Sequence, residues 1–237
     1  VSQLLQLPEV HLEKLLPPHR MKSMEGFFTQ ARRNLGPDSR ARLEREWPGK
    51  VRVVATSQPL LPPKIVSGVF EVVSEALYSN RWLHLDYRNS GGKRNKVDVM
   101  PLGLAQQGPR LYLVCRYKDY ENERTLALHR ILAAEASTLT FTRPKDFDLK
   151  QYDDDGRFGV SDSVRVHLTF SITEGACLHL LESPLATDQQ VSAIPNGHRL
   201  SATVVETEAL HRWLRGFGDD IWDVEITPAG PFPEKKQ

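Results

Sequence analysis

The sequence predicts an α+β chain with a helical N-terminal region, a small five-stranded β-barrel and a C-terminal ferredoxin-like βαββαβ domain. Three observations carry this expectation. Residues 1–49 place apolar side chains at helical spacing. Residues 81–142 switch to alternation broken by Gly-containing turns. Residues 163–228 run strand, helix, two strands, helix, strand.

Residues 1–80 read as a helical connector and dimerisation region. Met21, Met24, Phe27, Phe28, Ala31 and Leu35 recur at the spacing of an amphipathic helix. Their apolar side chains serve either a dimer face or packing within the chain. A second helix is expected after Pro37-Asp38-Ser39. There Arg40/Glu44 and Arg42/Glu46 stand one turn apart, and their alternating signs read as a solvated face rather than a DNA patch. Val51-Arg52-Val53-Val54 is extended, and Pro59-Leu60-Leu61-Pro62-Pro63 stops it. The apolar positions Ile65, Val69, Val72, Val73, Ala76 and Leu77 then predict a helix of about four turns.

Five strands follow in 81–142. Leu83, Leu85 and Tyr87 alternate with His84, Asp86 and Arg88, and Ser90-Gly91-Gly92-Lys93 turns the chain back. The second strand runs through Val97, Val99 and Leu102 to a turn at Gln107-Gly108-Pro109. Leu111, Leu113, Cys115 and Tyr117 form one face of the third, and Arg110, Tyr112, Val114 and Arg116 the other. A last pair spans Arg124 to Arg130 and about Ala134 to Thr142. Residues 143–162, with Pro144, Asp153-Asp154-Asp155, Gly156 and Gly159, read as a linker or an ordered arm. The C-terminal strands are expected at Val164–Phe170, about Gln190–Ile194, Arg199–Val205 and Ile221–Ile226. One helix between them carries Ala176, Cys177, Leu180 and Leu181, and the other Leu210, Trp213, Leu214 and Phe217. Residues 229–237 form a short polar tail.

Composition narrows the function. Lys and Arg number 31 against 30 Asp and Glu, a net charge of +1, so any nucleic-acid contact must use a local patch. The two cysteines, Cys115 and Cys177, are far apart in apolar runs and read as buried thiols. No apolar run reaches the length of a membrane span, and a cytoplasmic location is expected. The chain begins at Val1, and is expected to be a fragment or a processed product.

Catalytic motifs are absent. Gly91-Gly92-Lys93-Arg94 ends like a phosphate loop but sits between strands and lacks the first glycine and the hydroxyl residue. Ser90-Gly91-Gly92-Lys93 matches S-x-x-K by spacing alone, on glycines that disfavour the helix this nucleophile needs. The eight histidines show no H-E-x-x-H pattern and no zinc spacing. The aspartates at 153–155 lack the later Glu of a calcium loop. No enzyme activity, cofactor or metal is expected.

The barrel strands interleave arginine with tyrosine. Arg110, Tyr112 and Arg116 share a strand face, Arg124 and Arg130 share parity, and Tyr87 ends the first strand. Arginine binds phosphate bidentately, and tyrosine stacks on a base or bonds a sugar. By pattern alone two readings stand, a nucleotide-binding surface or an ordinary solvated face whose long basic side chains cover edges.

Residues 81–142 resemble the WYL domain. The matching runs are Leu85-Asp86-Tyr87, Val99-Met100-Pro101-Leu102-Gly103-Leu104, Arg110-Leu111-Tyr112-Leu113 and Arg124-Thr125-Leu126-Ala127-Leu128-His129-Arg130-Ile131. Leu111 replaces the Trp of the namesake tripeptide, and His129 the usual Asp before the last Arg. Residues 163–228 are similar to the C-terminal WCX extension through Leu210–Gly218 and Val224–Pro228, and the first 80 residues to the connector after a winged helix-turn-helix.

The resemblance implies an Sm/SH3-like barrel in a bacterial transcriptional regulator that senses a nucleotide, oligonucleotide or other single-stranded nucleic-acid effector. Tyr87, Tyr112, Arg124 and Arg130 match the family's pocket motifs by position. Arg110, Arg116 and His129 join them by strand parity and adjacency. No helix-turn-helix precedes the connector, so operator DNA is expected to be bound through a missing domain. The implied mechanism is a population shift in which the effector favours one arrangement of a homodimer and re-spaces the DNA-binding heads. Two rival expectations are a nucleotide-acting hydrolase and a protein-interaction module whose arginines meet an acidic partner.

Overall fold

A computed structural model of the chain describes residues 50, 58, 60–159 and 164–229. The helices expected in 1–49, the extended segment 51–54 and the tail from 230 lie outside the described residues. The chain divides into two compact units with the boundary between Phe147 and Asp148.

The first unit opens with helix α1 (Val69–Tyr78). It is shorter than the four turns expected because Gly68 stands at φ +83, a left-handed conformation that a helix interior does not hold. Ile65 therefore precedes the helix, though it still packs on the core. Val69, Val73 and Ala76 bury the inner face. Asn80, at φ +50, turns the chain into the sheet.

Strands β1 (Arg81–Arg88), β2 (Arg94–Gln107), β3 (Arg110–Tyr117), β4 (Glu123–Ala127) and β5 (Ile131–Thr140) form one antiparallel sheet in the order β4-β3-β2-β1-β5. The β1–β2 turn is held by the Asn89 side chain, which accepts the Lys93 N–H at 2.9 Å, with Gly92 at φ +83. Gly108, at φ +56, makes the β2–β3 turn. Between Pro101 and Gly103 the β2–β3 register shifts by the extra residue Leu102. Such a bulge bends a strand and frees a carbonyl. The guanidinium of Arg143 donates to that Leu102 oxygen at 2.5 Å.

The predicted alternation holds on β1, whereas on β3 Val114 is buried as well as its neighbours Leu113 and Cys115. Leu83, Leu85, Tyr87, Leu113 and Cys115 join α1 in one core, closed by Leu126, Leu128 and Ile131. The predicted fourth strand is corrected. It ends at Ala127, and Leu128–Arg130 form a 3-10 turn. Leu128 and Ile131 are both fully buried, and the turn brings both apolar side chains onto the same core.

The second unit begins with α2 (Leu149–Asp154), where a linker or an ordered arm was expected. Asp148 caps it, accepting the Gln151 N–H at 2.7 Å. Tyr152 is buried and meets Phe158 edge-on at 5.2 Å. Strands β6 (Arg165–Ile172), β7 (Gln190–Ile194), β8 (Gly197–Val205) and β9 (Ile221–Pro228) pair antiparallel in the order β7-β8-β6-β9. Helix α3 (Glu174–Glu182) lies between β6 and β7, and α4 (Glu208–Arg215) between β8 and β9. The second core gathers Leu168, Phe170, Ile172, Cys177, Leu180, Leu200 and Leu214. Trp213 packs edge-on against Phe170 at 6.3 Å and Phe217 at 4.7 Å. Leu181, placed on the apolar stripe of its helix by the sequence, is 48% exposed.

Candidate functional site

The seven side chains expected on one basic face separate in the structure. Residues paired directly across antiparallel strands share a face. Arg124 pairs with Cys115, so it lies on the core side of the sheet with Tyr117. Arg116 pairs with Glu123 and lies on the opposite side. Because β4 ends at Ala127, Arg124 and Arg130 are not two positions on one strand face, and their expected shared parity is lost.

Arg124 forms an aromatic cluster. Its guanidinium carbon stands 4.7 Å from the centre of the Tyr117 ring and 5.3 Å from that of Tyr120. The two rings meet edge-on at 6.5 Å. Tyr120 is 57% exposed, so the cluster opens to solvent at that ring. Burial pushes the Tyr117 hydroxyl up, against the pull of Arg124. Burial also pushes the Cys115 thiol up to about 12 despite the same guanidinium. The phenol and thiol behind Arg124 are therefore neutral near pH 7, and its charge is uncancelled by either. Neither Tyr117 nor Tyr120 was among the residues expected at the site. Strand parity does carry a signal for Tyr117, which it puts beside Cys115, but Tyr120 lies in a loop that parity does not reach.

Tyr87 is 7% exposed and belongs to the core behind this cluster. It supports Tyr117 rather than offering a free ring. Tyr112 is half-buried on β3, flanked across the sheet by Ala105 and Ala127. Arg116 is sealed. It donates to Glu123 at 2.6 Å and to Asp146 at 3.0 Å, and its side chain is 16% exposed. Burial works against its charge, and the two carboxylates outweigh it, raising its pKa. An arginine already held by two carboxylates has little left for phosphate.

Arg110, His129 and Arg130 make a second group. The 3-10 turn Leu128–Arg130 packs beside β3, whose first residue is Arg110. Burial first, then the charges of Arg130 and Arg110, holds the imidazole below its usual range. His129 Nδ1 is buried and has no hydrogen-bond partner.

A cavity of about 490 Å³ lies elsewhere, on the side of β1 away from the core. It is lined by His84, Asp86, Lys96, Asp98 and Glu135, and holds none of the seven predicted residues. His84 Nδ1 meets Asp98 at 2.6 Å, and Asp86 is paired with Arg94. Its carboxylates repel phosphate, so its size does not make it the anion site. Among the described residues no group of three or more His, Cys, Asp or Glu side chains is placed to hold a metal ion, and no helix is long and apolar enough to cross a membrane.

Residues 68–136 match the WYL domain family. No curated protein matches the chain. Among solved structures it is similar to proteasome accessory factor B/C (PafBC) of Arthrobacter aurescens, at 24% identity over 76% of this chain and 27% of that one, with a TM-score of 0.36. It is also similar to a CRISPR Cas-related protein, at 13% identity over 69% of this chain and 47% of that one, with a TM-score of 0.33. The chain thus spans about a quarter of the first and about half of the second.

Proposed function

We propose that this chain is the ligand-sensing and dimerising part of a bacterial WYL-type transcriptional regulator, acting by binding rather than catalysis. The observation that carries the reading is the WYL domain at residues 68–136. The ligand is a nucleotide or a short single-stranded nucleic acid. Arg124, Tyr117 and Tyr120 suit base stacking with a cation beside it, and Arg110, His129 and Arg130 suit phosphate. The five-stranded sheet is read as an Sm/SH3-like barrel, and the C-terminal unit as a ferredoxin-like, WCX-type extension. Ligand binding shifts a homodimer between arrangements that space DNA-binding heads differently, which requires unequal affinity for the two.

The test is fluorescence polarisation with labelled short single-stranded DNA, short RNA and cyclic oligonucleotides, alongside sedimentation at rising protein concentration. At least one oligonucleotide is expected to bind, and the sedimenting mass to rise to a dimer. Binding to none of them contradicts the sensor reading. A monomer at high concentration removes the dimer.

A further inference from the structure

The cavity on the outer side of β1 carries opposite charge at its two ends. Strand β1 lies between β2 and β5, and His84 pairs with Asp98 on one side and Glu135 on the other. Residues paired across antiparallel strands share a face, so the two carboxylates flank the imidazole on the cavity wall. Asp98 meets His84 Nδ1 at 2.6 Å. A carboxylate only accepts, so Nδ1 carries the proton, and in the neutral ring Nε2 is left as an acceptor. The His84 and Asp98 side chains are 50% and 41% exposed, open to a ligand from solvent. Glu135, on the same wall, has no ion pair among the described residues. Two residues further along β1 the sign reverses. Asp86 is taken up by Arg94, whose Nε donates to one carboxylate oxygen at 2.7 Å and whose terminal nitrogen donates to the other. Lys96 stands directly opposite Asp86, lines the cavity and has no ion pair among the described residues. One carboxylate there faces two cations.

We propose that this cavity is a second ligand site, one that takes a small organic ampholyte whose primary ammonium and carboxylate stand several bonds apart. An ammonium has three N–H donors and no acceptor. Asp98, Glu135 and His84 Nε2 offer it three acceptors at one end, and Lys96 takes the ligand's carboxylate at the other. The two ends are separated by two residues of β1, about 7 Å. The ammonium and carboxylate of an α-amino acid, joined through one carbon, do not span both. The cavity's volume of about 490 Å³ suits a small molecule, and Ala133, across from Asp86, contributes only a methyl group to its wall. The site shares no residue with the arginine–tyrosine groups, so it stands or falls apart from the nucleic-acid reading.

The probe is ε-aminocaproate, with hexylamine and caproate each carrying one of its two charges. NMR follows the His84 ring proton, assigned by its loss in His84→Gln, at constant pH and ionic strength. ε-Aminocaproate is expected to shift this resonance saturably. Hexylamine is expected to bind at least about tenfold more weakly, and caproate to leave the resonance unmoved. Glu135→Gln is expected to weaken ε-aminocaproate by about tenfold, and Lys96→Ala to bring it down to the affinity of hexylamine. Ala133→Trp fills the cavity without touching a charge and is expected to abolish the shift. No saturable shift with ε-aminocaproate overturns the proposal. So does equal binding of hexylamine, or wild-type affinity in Glu135→Gln or Ala133→Trp. Near-UV circular dichroism establishes that each variant is folded.

Discussion

Arg116 and Arg124 sit on adjacent strands and work in opposite ways. Arg116 is a structural cation clamped between Glu123 and Asp146, and Arg124 stacks on Tyr117 beside the exposed ring of Tyr120. Removing Arg116 takes a guanidinium from Glu123, whose side chain is 14% exposed. Arg116→Ala is expected to lower stability by about 1–2 kcal/mol, read from the urea midpoint, while changing oligothymidylate affinity by less than about twofold. Stability within error of wild type, or a large loss of binding, contradicts this division of labour. The two arginines could not be separated from the sequence. Period-2 parity correctly set Arg116 apart from Cys115, but the carboxylate from Asp146 arrives through a segment that reads as a linker or an ordered arm. Tyr87 shows the same limit. A tyrosine at a strand end reads equally as ligand contact or core, and the packing of α1 and β3 makes it core.

At the scale of elements, alternation was legible wherever one face met a core, and failed where the chain left regular geometry. The Leu128–Arg130 turn reads as strand because Leu126 and Leu128 keep period 2, yet both Leu128 and Ile131 must reach the same interior. The helix α2 was hidden by its six-residue length and its aspartates, of which Asp154 pairs with Lys150 at 2.5 Å and Asp155 accepts from Gln151 at 2.7 Å. In the second unit the β7–β8 turn depends on close approach. At Gly197, φ is +147, and a Cβ would stand 2.0 Å from the Ile172 carbonyl oxygen. Backbone cannot yield as a flexible side chain can. Gly197→Ala is expected to destabilise by about 3 kcal/mol or more in chemical denaturation. A denaturation midpoint unchanged from wild type contradicts the packing at that turn.

At the scale of the molecule, each unit has its own core, and both cores were drawn from residues whose periodicity was plain in the sequence. The near-zero net charge was equally plain, and it required a patch rather than a coated surface. The shape of that patch was not legible, because it is set by strand register and by the 3-10 turn. These replace one expected face with an aromatic-backed arginine and a separate cationic group. Oligothymidylate affinity at two salt concentrations, for wild type and the Arg124→Ala, Arg130→Ala double variant, tests the central claim of a nucleic-acid sensor most directly. Wild type is expected to weaken with salt. The double variant is expected to bind at least about tenfold more weakly, with a slope shallower by about 0.7 for each phosphate that its missing arginines no longer neutralise. Equal affinity and equal slope in the two proteins would contradict it.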